Sequence, residues 1–178
     1  DREKAVRAEA KKGKNGRFGA GLPATGDMQL LFMQHAIAKM NRKNGRAAII
    51  SNGSPLFSGN TTSGESQIRR FMLEKDLIEA IIALPSQLFY NTDIGIYAFI
   101  LSKNKRKERV NKIQLINAVD MWEPLKRSLG KKRREISKNQ IDLITEVYAA
   151  FAPGSKTLYS EKRKACLLYT SDAADDKA

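Results

Sequence analysis

Residues 77–102 read LIEAIIALPSQLFYNTDIGIYAFILS, two largely apolar runs, the first containing Glu79, separated by the nine residues PSQLFYNTD. Apolar runs without polar alternation are typical of strands buried on both faces, as in the sheets of α/β proteins. The nine residues 85–93 between the runs are too few for a helical crossover. We therefore predict strands near 77–84 and 94–102 that pair as antiparallel neighbours in one sheet.

The sequence on either side of this pair predicts an α/β fold. The run RAAIIS at 46–51 is short, apolar and β-branched, which indicates a third buried strand in the same sheet. KIQLINAV at 112–119 predicts a further strand. The polar stretch 52–64, NGSPLFSGNTTSG, follows the strand at 46–51 as a long loop. Loops of this length in compact domains often carry function.

Three helices are predicted from apolar residues at helical spacing. The first is capped by Asp27. Its expected buried stripe is Met28, Leu31, Phe32, His35 or Ala36, and Met40. Capping-box patterns, Thr62-x-x-Glu65 and Ser137-x-x-Gln140, introduce the other two helices. Because His35 lies on the apolar stripe, we interpret it as a packed, hydrogen-bonded histidine rather than a catalytic base.

These patterns divide the chain into four segments. Residues 1–24 are expected to be flexible, basic and Gly-rich; the string GRFGAGLP within them is a poor phosphate loop because no strand precedes it. Residues 25–119 hold the α/β domain, and residues 120–164 a basic loop followed by a helix. Residues 165–178 look like a non-native tail and are expected not to continue the domain.

The net charge of +13 is unevenly distributed. Residues 103–134 contain twelve basic and three acidic groups, a net charge of +9, and residues 1–17 contain seven and three, a net charge of +4. Such an excess is typical of proteins that bind a phosphate backbone or another anionic surface. The alternative is that the basic run is a solvent-exposed loop that only increases solubility.

Several classes of protein are disfavoured by composition. One cysteine, Cys166, and one histidine, His35, cannot build a disulfide framework or a standard zinc site, so no metal is expected. The sequence contains no apolar run of about 18 residues, the length that suggests a membrane span. We expect a cytoplasmic protein with no membrane partner. Because the chain begins with Asp1 rather than Met, we also expect it to be a fragment.

Four blocks, in order, carry a resemblance to a known family: DMQLLFMQH, NGRAAIISNGSPLFSG, GESQIRRFML and IIALPSQLFYNTDI. They resemble the later conserved blocks of adenine-specific DNA methyltransferases, above all the modification subunit of type I restriction–modification systems. The resemblance covers about residues 15–152. It implies the C-terminal half of a Rossmann-like S-adenosylmethionine-dependent methyltransferase sheet, ending in an antiparallel hairpin, plus a C-terminal helix. Residues 25–119 would then be a partial methyltransferase domain.

The resemblance also implies a target-base site. Such enzymes flip the adenine out of the duplex and hold it against an aromatic side chain. Phe89 matches that position best, with Tyr90 as its neighbouring alternative; Asn91, Thr92 and Asn52 could bond a base edge or a phosphate. From the residues alone, Phe89 could instead cap the end of the sheet, and Asn91-Thr92-Asp93 could be only a turn.

The same resemblance implies what the chain lacks. The family binds S-adenosylmethionine through a Gly-rich turn after the first strand and catalyses methyl transfer with an Asn/Asp-Pro-Pro-aromatic loop. We find neither motif in this sequence. We therefore assign no catalytic and no cofactor-binding residue and expect this chain alone to be inactive. The implied partners are DNA and the specificity and restriction subunits of a type I system, in a hetero-oligomer. The alternatives are a non-catalytic, basic α/β nucleic-acid-binding module and a Rossmann-type enzyme of small molecules, which the charge disfavours.

Overall fold

The computed structural model describes residues 2–151, 156–160 and 163–172. The helices are α1 (Arg2–Lys11), α2 (Gln29–Lys39), α3 (Ser54–Phe57), α4 (Gly64–Glu74) and α5 (Lys138–Ala150), with short 3-10 turns at Gly13–Asn15 and Lys107–Arg109. The strands are β1 (Arg46–Ser51), β2 (Ile78–Leu84), β3 (Ile96–Ser102), β4 (Lys112–Asn117), β5 (Glu123–Leu129), β6 (Lys132–Glu135), β7 (Lys156–Ser160) and β8 (Arg163–Asp172).

The described strands form a central sheet in the order β1-β3-β2-β4-β8-β7, and β5 and β6 form a separate two-stranded hairpin. β3 lies between β1 and β2 and is antiparallel to both. β4 runs parallel to β2 on its other side. The predicted strands at 46–51, 77–84 and 94–102 therefore share one sheet with the last antiparallel, which confirms the α/β class and its antiparallel ending.

Helices cover both faces of this sheet. On one face, α2 and α4 pack Met33 and Ile68 against Phe99 and Leu101 of β3. On the other face, α5 packs on β2 and β4, where Val147 contacts the cluster around Ile116. Burial of these apolar side chains is the main favourable contribution to folding. Among the described residues, no helix has the length and apolar character needed to cross a membrane.

The N-terminal segment differs from the prediction of a flexible stretch, because residues Arg2–Lys11 form α1. The glycines that disfavour regular structure begin only at Gly13, and the residues before them are mainly Ala, Glu, Lys and Arg, which favour helix. Glu3 and Arg7, one turn apart, form an ion pair at 2.6 Å on the helix surface. The prediction was wrong because it extended the effect of the glycines to residues that precede them.

The buried face of α2 also differs from the prediction. The buried side chains of the helix are Leu30, Met33, Gln34 and Ile37, with Met40 just after it. Phe32, expected inside, is 65% exposed, and Met28 is exposed as well. Apolar residues occur on nearly every side of QLLFMQHAIAKM, so their spacing does not select one face. Packing against the sheet selects it.

The N-cap predicted for α4 is wrong by one residue, and the N-cap predicted for α5 is confirmed. Ser63, not Thr62, caps α4, and its Oγ accepts the backbone N–H of Ser66 at 3.3 Å. The second predicted capping box forms in part at the start of α5: Gln140 Oε1 accepts the backbone N–H of Ser137 at 2.9 Å, whereas Ser137 Oγ has no hydrogen-bond partner among the described residues.

Two predictions about the C-terminal part are corrected. The stretch 120–135, expected to be a loop, contains the hairpin β5–β6. Residues 165–172, expected not to continue the domain, belong to β8, which pairs antiparallel with β4. That 165–178 is non-native stays a prediction, and residues 173–178 lie outside the described part of the chain.

Candidate nucleic-acid interface

Three connecting segments leave the sheet at the same edge. In the sheet, Tyr97 pairs with Ser51, the last residue of β1, and with Ala83 near the end of β2. Ala83 in turn pairs with Asn117, the last residue of β4. Segments 52–63, 85–95 and 118–122 therefore begin or end side by side. Ligands of open α/β sheets collect at such an edge, at the carboxyl ends of parallel strands.

The segment 85–95, called the aromatic loop below, holds four of the five predicted site residues. Phe89 and Thr92 are joined by an isolated β-bridge, which closes a tight turn through Tyr90 and Asn91. Phe89 is 42% exposed and Tyr90 is 71% exposed. The turn thus presents two aromatic rings to solvent instead of burying either of them completely. Thr92 Oγ1 accepts the backbone N–H of Ile94 at 3.4 Å.

Asn52, the fifth predicted site residue, lies at the same edge but is engaged within the fold. Its backbone N–H donates to Gln29 Oε1, and its Oδ1 accepts from Gln29 Nε2, both at 2.8 Å. The same Oδ1 also accepts the backbone N–H of Ser54 at 2.8 Å. Asn52 therefore connects the end of β1 to the start of α2 and α3. The structure brings Phe89, Tyr90, Asn91 and Thr92 together and gives Asn52 a separate set of partners.

The hairpin β5–β6 is attached to the aromatic loop through backbone hydrogen bonds. The N–H of Lys131 donates to the Tyr90 carbonyl at 2.8 Å, and those of Arg133 and Arg134 donate to the Gln87 carbonyl at 3.1 and 3.3 Å. Arg134 Nη1 also donates to Ser86 Oγ at 3.1 Å. These bonds place a basic element against the aromatic turn.

Sequence reasoning missed this hairpin, although one signal for it was present. Gly130 in SLGKK has φ +59°, the left-handed conformation that the turn between β5 and β6 requires. A glycine flanked by two extended segments indicates a hairpin. The flanking residues KRS and KKRR do not alternate apolar and polar side chains, so the usual strand pattern was missing.

Two of the cations in the other half of the basic segment, 103–112, are buried in the interior of the protein. Arg109 is only 2% exposed, donates to Gln114 Oε1 at 2.8 Å and to the Tyr148 carbonyl, and lies 3.7 Å from Glu79. The buried Lys105 side chain pairs with Asp76, and burial lowers the pKa of its ammonium. Lys105 and Arg109 thus stabilise the fold, so the net charge of the segment overstates what is offered to a ligand.

The buried charges are connected through Tyr148 of α5. Its hydroxyl donates to Glu79 Oε1 at 2.5 Å, and its ring lies 4.5 Å from the Arg109 guanidinium. Burial and the hydrogen bond to Glu79 raise the pKa of Tyr148. Beside it, Arg46, Ile100 and Ile144 line a cavity of about 380 Å³ on the sheet face. This network fixes α5 on the sheet.

The Gly-rich stretch near the N-terminus does not fit the family's methyl-donor site. The Gly-rich stretch 13–21 follows α1 and not a strand. A Cβ at Gly16 would lie 1.9 Å from the Glu9 carbonyl oxygen, and one at Gly19 would lie 1.9 Å from that of Gly13. These glycines therefore accommodate the chain's own backbone rather than a ligand. The Gly-rich stretch therefore supplies no cradle for S-adenosylmethionine, and no chemical step is assigned through the cofactor.

The acidic side chains and the histidine of the described ranges do not form a metal-binding cluster. No three His, Cys, Asp or Glu side chains among these residues come together as metal ligands. His35 is half-buried, and its Nδ1 lies 3.3 Å from Arg17 Nη1, within hydrogen-bond distance. This agrees with its interpretation as a packed, hydrogen-bonded histidine.

Comparisons of the sequence with known proteins agree with the fold. The chain is 40% identical over 103 residues to the type I restriction enzyme MjaVII methylase subunit of Methanocaldococcus jannaschii, covering 58% of this chain and 17% of that protein. It is 33% identical over 92 residues to the HindI methylase subunit of Haemophilus influenzae, covering 52% and 20%. The chain thus spans about a fifth of the length of these relatives.

Two solved structures share the fold. One is a type I restriction–modification methyltransferase subunit from Streptococcus thermophilus, with a TM-score of 0.65, 24% identity, and coverage of 83% of this chain and 27% of that one. The other is the EcoKI M protein, with a TM-score of 0.58, 17% identity, and coverage of 85% and 35%.

The model of the N-6 DNA methylase family matches residues 4–175, nearly the whole chain. Methyltransferases in general take their methyl group from S-adenosylmethionine. The fold of the sheet matches that of the two methyltransferase structures, and the sequence matches the family model. This chain therefore belongs to the N-6 DNA methylase family.

Proposed function

We propose that this chain forms the target-base portion of a DNA methyltransferase, which transfers a methyl group from S-adenosylmethionine to the exocyclic amine of adenine in duplex DNA. The observation that carries the proposal is the exposed pair Phe89 and Tyr90 in a tight turn at the edge of the sheet. An exposed aromatic pair at a ligand-binding edge has no role in the core of the domain. It suits a ligand with a flat apolar face.

A flipped adenine is such a ligand. The amine cannot be methylated inside the stacked duplex, so the base leaves the helix and stacks on side chains of the pocket. Stacking on an aromatic ring contributes about 1–3 kcal/mol. The Asn91 side chain is exposed beside the two rings, and its amide can donate to and accept from a base edge. The aromatic loop would therefore supply both stacking and hydrogen bonding.

The methyl donor and the catalytic loop are proposed to come from another part of the protein. The five prolines of the chain stand apart from one another, so no Asn-Pro-Pro or Asp-Pro-Pro string occurs in these 178 residues. The isolated chain is therefore expected neither to bind S-adenosylmethionine nor to methylate DNA. The curated relatives are much longer and are named as subunits of type I restriction enzymes. We propose a corresponding hetero-oligomer with specificity and restriction subunits, in the cytoplasm.

The experiment is Phe89→Ala in the complete methyltransferase, with 2-aminopurine in place of the target adenine. The fluorescence of 2-aminopurine rises when the base unstacks, so its increase on enzyme binding reports base capture. Loss of about 1–3 kcal/mol of stacking lowers methylation efficiency, as kcat/KM, by roughly 5- to 150-fold. Phe32→Ala, on the exposed face of α2, is the matched control and is expected to behave as the wild type.

Tyr90→Ala distinguishes the two aromatic residues. If it abolishes base capture and Phe89→Ala does not, the stacking residue is Tyr90. If neither variant changes the fluorescence or the kcat/KM, the target-base role is wrong. If the complete protein binds DNA but transfers no labelled methyl group, the chain instead belongs to a non-catalytic nucleic-acid-binding module.

A further inference from the structure

The hairpin β5–β6 contains six cationic side chains, of which two have acceptors or ion-pair partners in the structure. Arg134 bonds Ser86 and lies over the Trp122 ring at 3.9 Å, and Lys131 lies 3.6 Å from Asp93. The other four have no ion pair or hydrogen bond from their charged groups to described residues: Lys126, Arg127, Lys132 and Arg133. An unpaired cluster of this size attracts an anionic partner.

We propose that the hairpin β5–β6 grips the phosphate backbone of duplex DNA beside the target base and, through its own backbone, holds the aromatic loop in position. The proposal rests on the proposed function, since it takes the aromatic loop as the base-capturing element. It assigns DNA as the partner of the hairpin, one part of the basic segment 103–134, where the sequence alone allows DNA, another subunit or solvent.

The position of the hairpin favours DNA as its partner. The Lys131 N–H lies 2.8 Å from the Tyr90 carbonyl, so a duplex that delivers a base to Phe89 or Tyr90 passes next to the hairpin. Phosphate contacts fix a protein's register on DNA without reading its sequence. A subunit that captures a base needs such a grip.

The attachment between the hairpin and the loop depends on Gly130. A Cβ at this position would lie 2.6 Å from the Tyr90 carbonyl oxygen, a backbone atom that cannot move alone. The φ of +59° adds strain for any other residue. Gly130→Ala is therefore expected to separate the hairpin from the aromatic loop while it leaves every charge of the protein in place.

The test measures the salt dependence of binding to a fluorescently labelled duplex of about 25 base pairs by the complete methyltransferase. Lys126, Arg127 and Arg133 are changed together to Gln. Each phosphate contact contributes about 0.9 to the slope of log K against log[salt], so the slope is expected to fall by about 2.7. Between 50 and 200 mM salt, the wild type should lose about 40-fold more affinity than the variant.

The matched control is the triple change of Arg42, Lys43 and Lys75 to Gln. These exposed residues precede β1 and β2 and so lie at the opposite edge of the sheet. Six residues of β1 separate the two edges by more than a Debye length of about 10 Å, so the control should keep the wild-type slope. Equal losses in both triple variants would show only an effect of net charge and would overturn the proposal.

Two further outcomes separate this inference from the proposed function. A wild-type slope in the hairpin variant, with methylation and base capture intact, would refute the phosphate grip alone. A complete protein that transfers no methyl group would refute the proposed function, whatever the slope. Gly130→Ala is expected to keep the slope within about 0.9 of the wild type and to lose most of the 2-aminopurine signal. An unchanged signal would refute the positioning role.

Discussion

Replacing Arg109 with methionine is expected to destabilise the protein without weakening the proposed binding of DNA. The guanidinium is buried between the Tyr148 and Phe151 rings, at 4.5 and 4.2 Å from their centroids, and its Nε lies 3.7 Å from Glu79 Oε1. It also donates to Gln114 and to a carbonyl of α5. The substitution keeps much of the side-chain volume but removes one of the two arginines that lie near the Glu79 carboxylate.

The expected cost follows from that carboxylate. Removing one partner of a buried ion pair costs about 3–5 kcal/mol, because the remaining charge stays desolvated. Arg46 still lies 3.4 Å from Glu79, and the Tyr148 hydroxyl still donates to it. Because these two partners offset part of the loss, we expect about 3 kcal/mol. For a chain of this size that corresponds to a fall in Tm of roughly 6–12 °C.

Thermal unfolding and DNA binding are both measured for Arg109→Met, Glu79→Gln and the double variant. The double variant should be more stable than the sum of the two single effects predicts, by about 1–3 kcal/mol, because it leaves no unpaired carboxylate. At a temperature where Arg109→Met is folded, its salt slope for duplex DNA should equal that of the wild type. A fall in Tm below about 2 °C, strict additivity, or a shallower salt slope would refute the internal role of Arg109.

Two other predictions concern the elements around the site. Asn52→Ala removes the side-chain oxygen that accepts from Gln29 Nε2, and should lower the unfolding free energy by about 1–2 kcal/mol in urea denaturation. The pKa of Glu65 is lowered from 4.5, first by the N–H of Ala24, and that of Asp27 is lowered from 3.8, first by a serine hydroxyl. A lowered folded pKa adds stability that is present above the unfolded pKa and is lost as pH falls through the folded value. Stability should therefore decline below about pH 4.5, and less steeply in Glu65→Gln; equal slopes would contradict this.

Much of the sheet could be predicted from the sequence, because β1, β2 and β3 are short, largely apolar runs bounded by turn residues. The predicted ranges 46–51, 77–84 and 94–102 became β1, β2 and β3 within two residues at each end. The nine residues 85–93 allowed only an antiparallel connection, and the structure shows one. Local sequence was sufficient here because the apolar character of a run and the length of a connection are both read from neighbouring residues.

The same reasoning located the aromatic loop, but it did not predict the hairpin β5–β6 that is hydrogen-bonded to the loop. The site role of Phe89 and Tyr90 was implied by the family resemblance of the string LFYNT, whereas the hairpin bonded to them lies about 40 residues further along the chain. The hairpin lacks the apolar alternation that marks an amphipathic strand. Backbone hydrogen bonds between distant segments hold it in place, and these leave no signature in side-chain patterns.

The sequence by itself determined the strands β1 to β4, the tight connection between β2 and β3, and the place of the aromatic residues in that connection. Only the tertiary structure decided which cations are available to a ligand. In sequence, Arg109 and Arg133 belong to one basic segment. Arg109 is neutralised by Glu79 and enclosed by Tyr148, 30 and 39 residues away, whereas Arg133 stays exposed. The physical reason is that charge pairing depends on distance in space and on burial, and residues far apart in sequence set both.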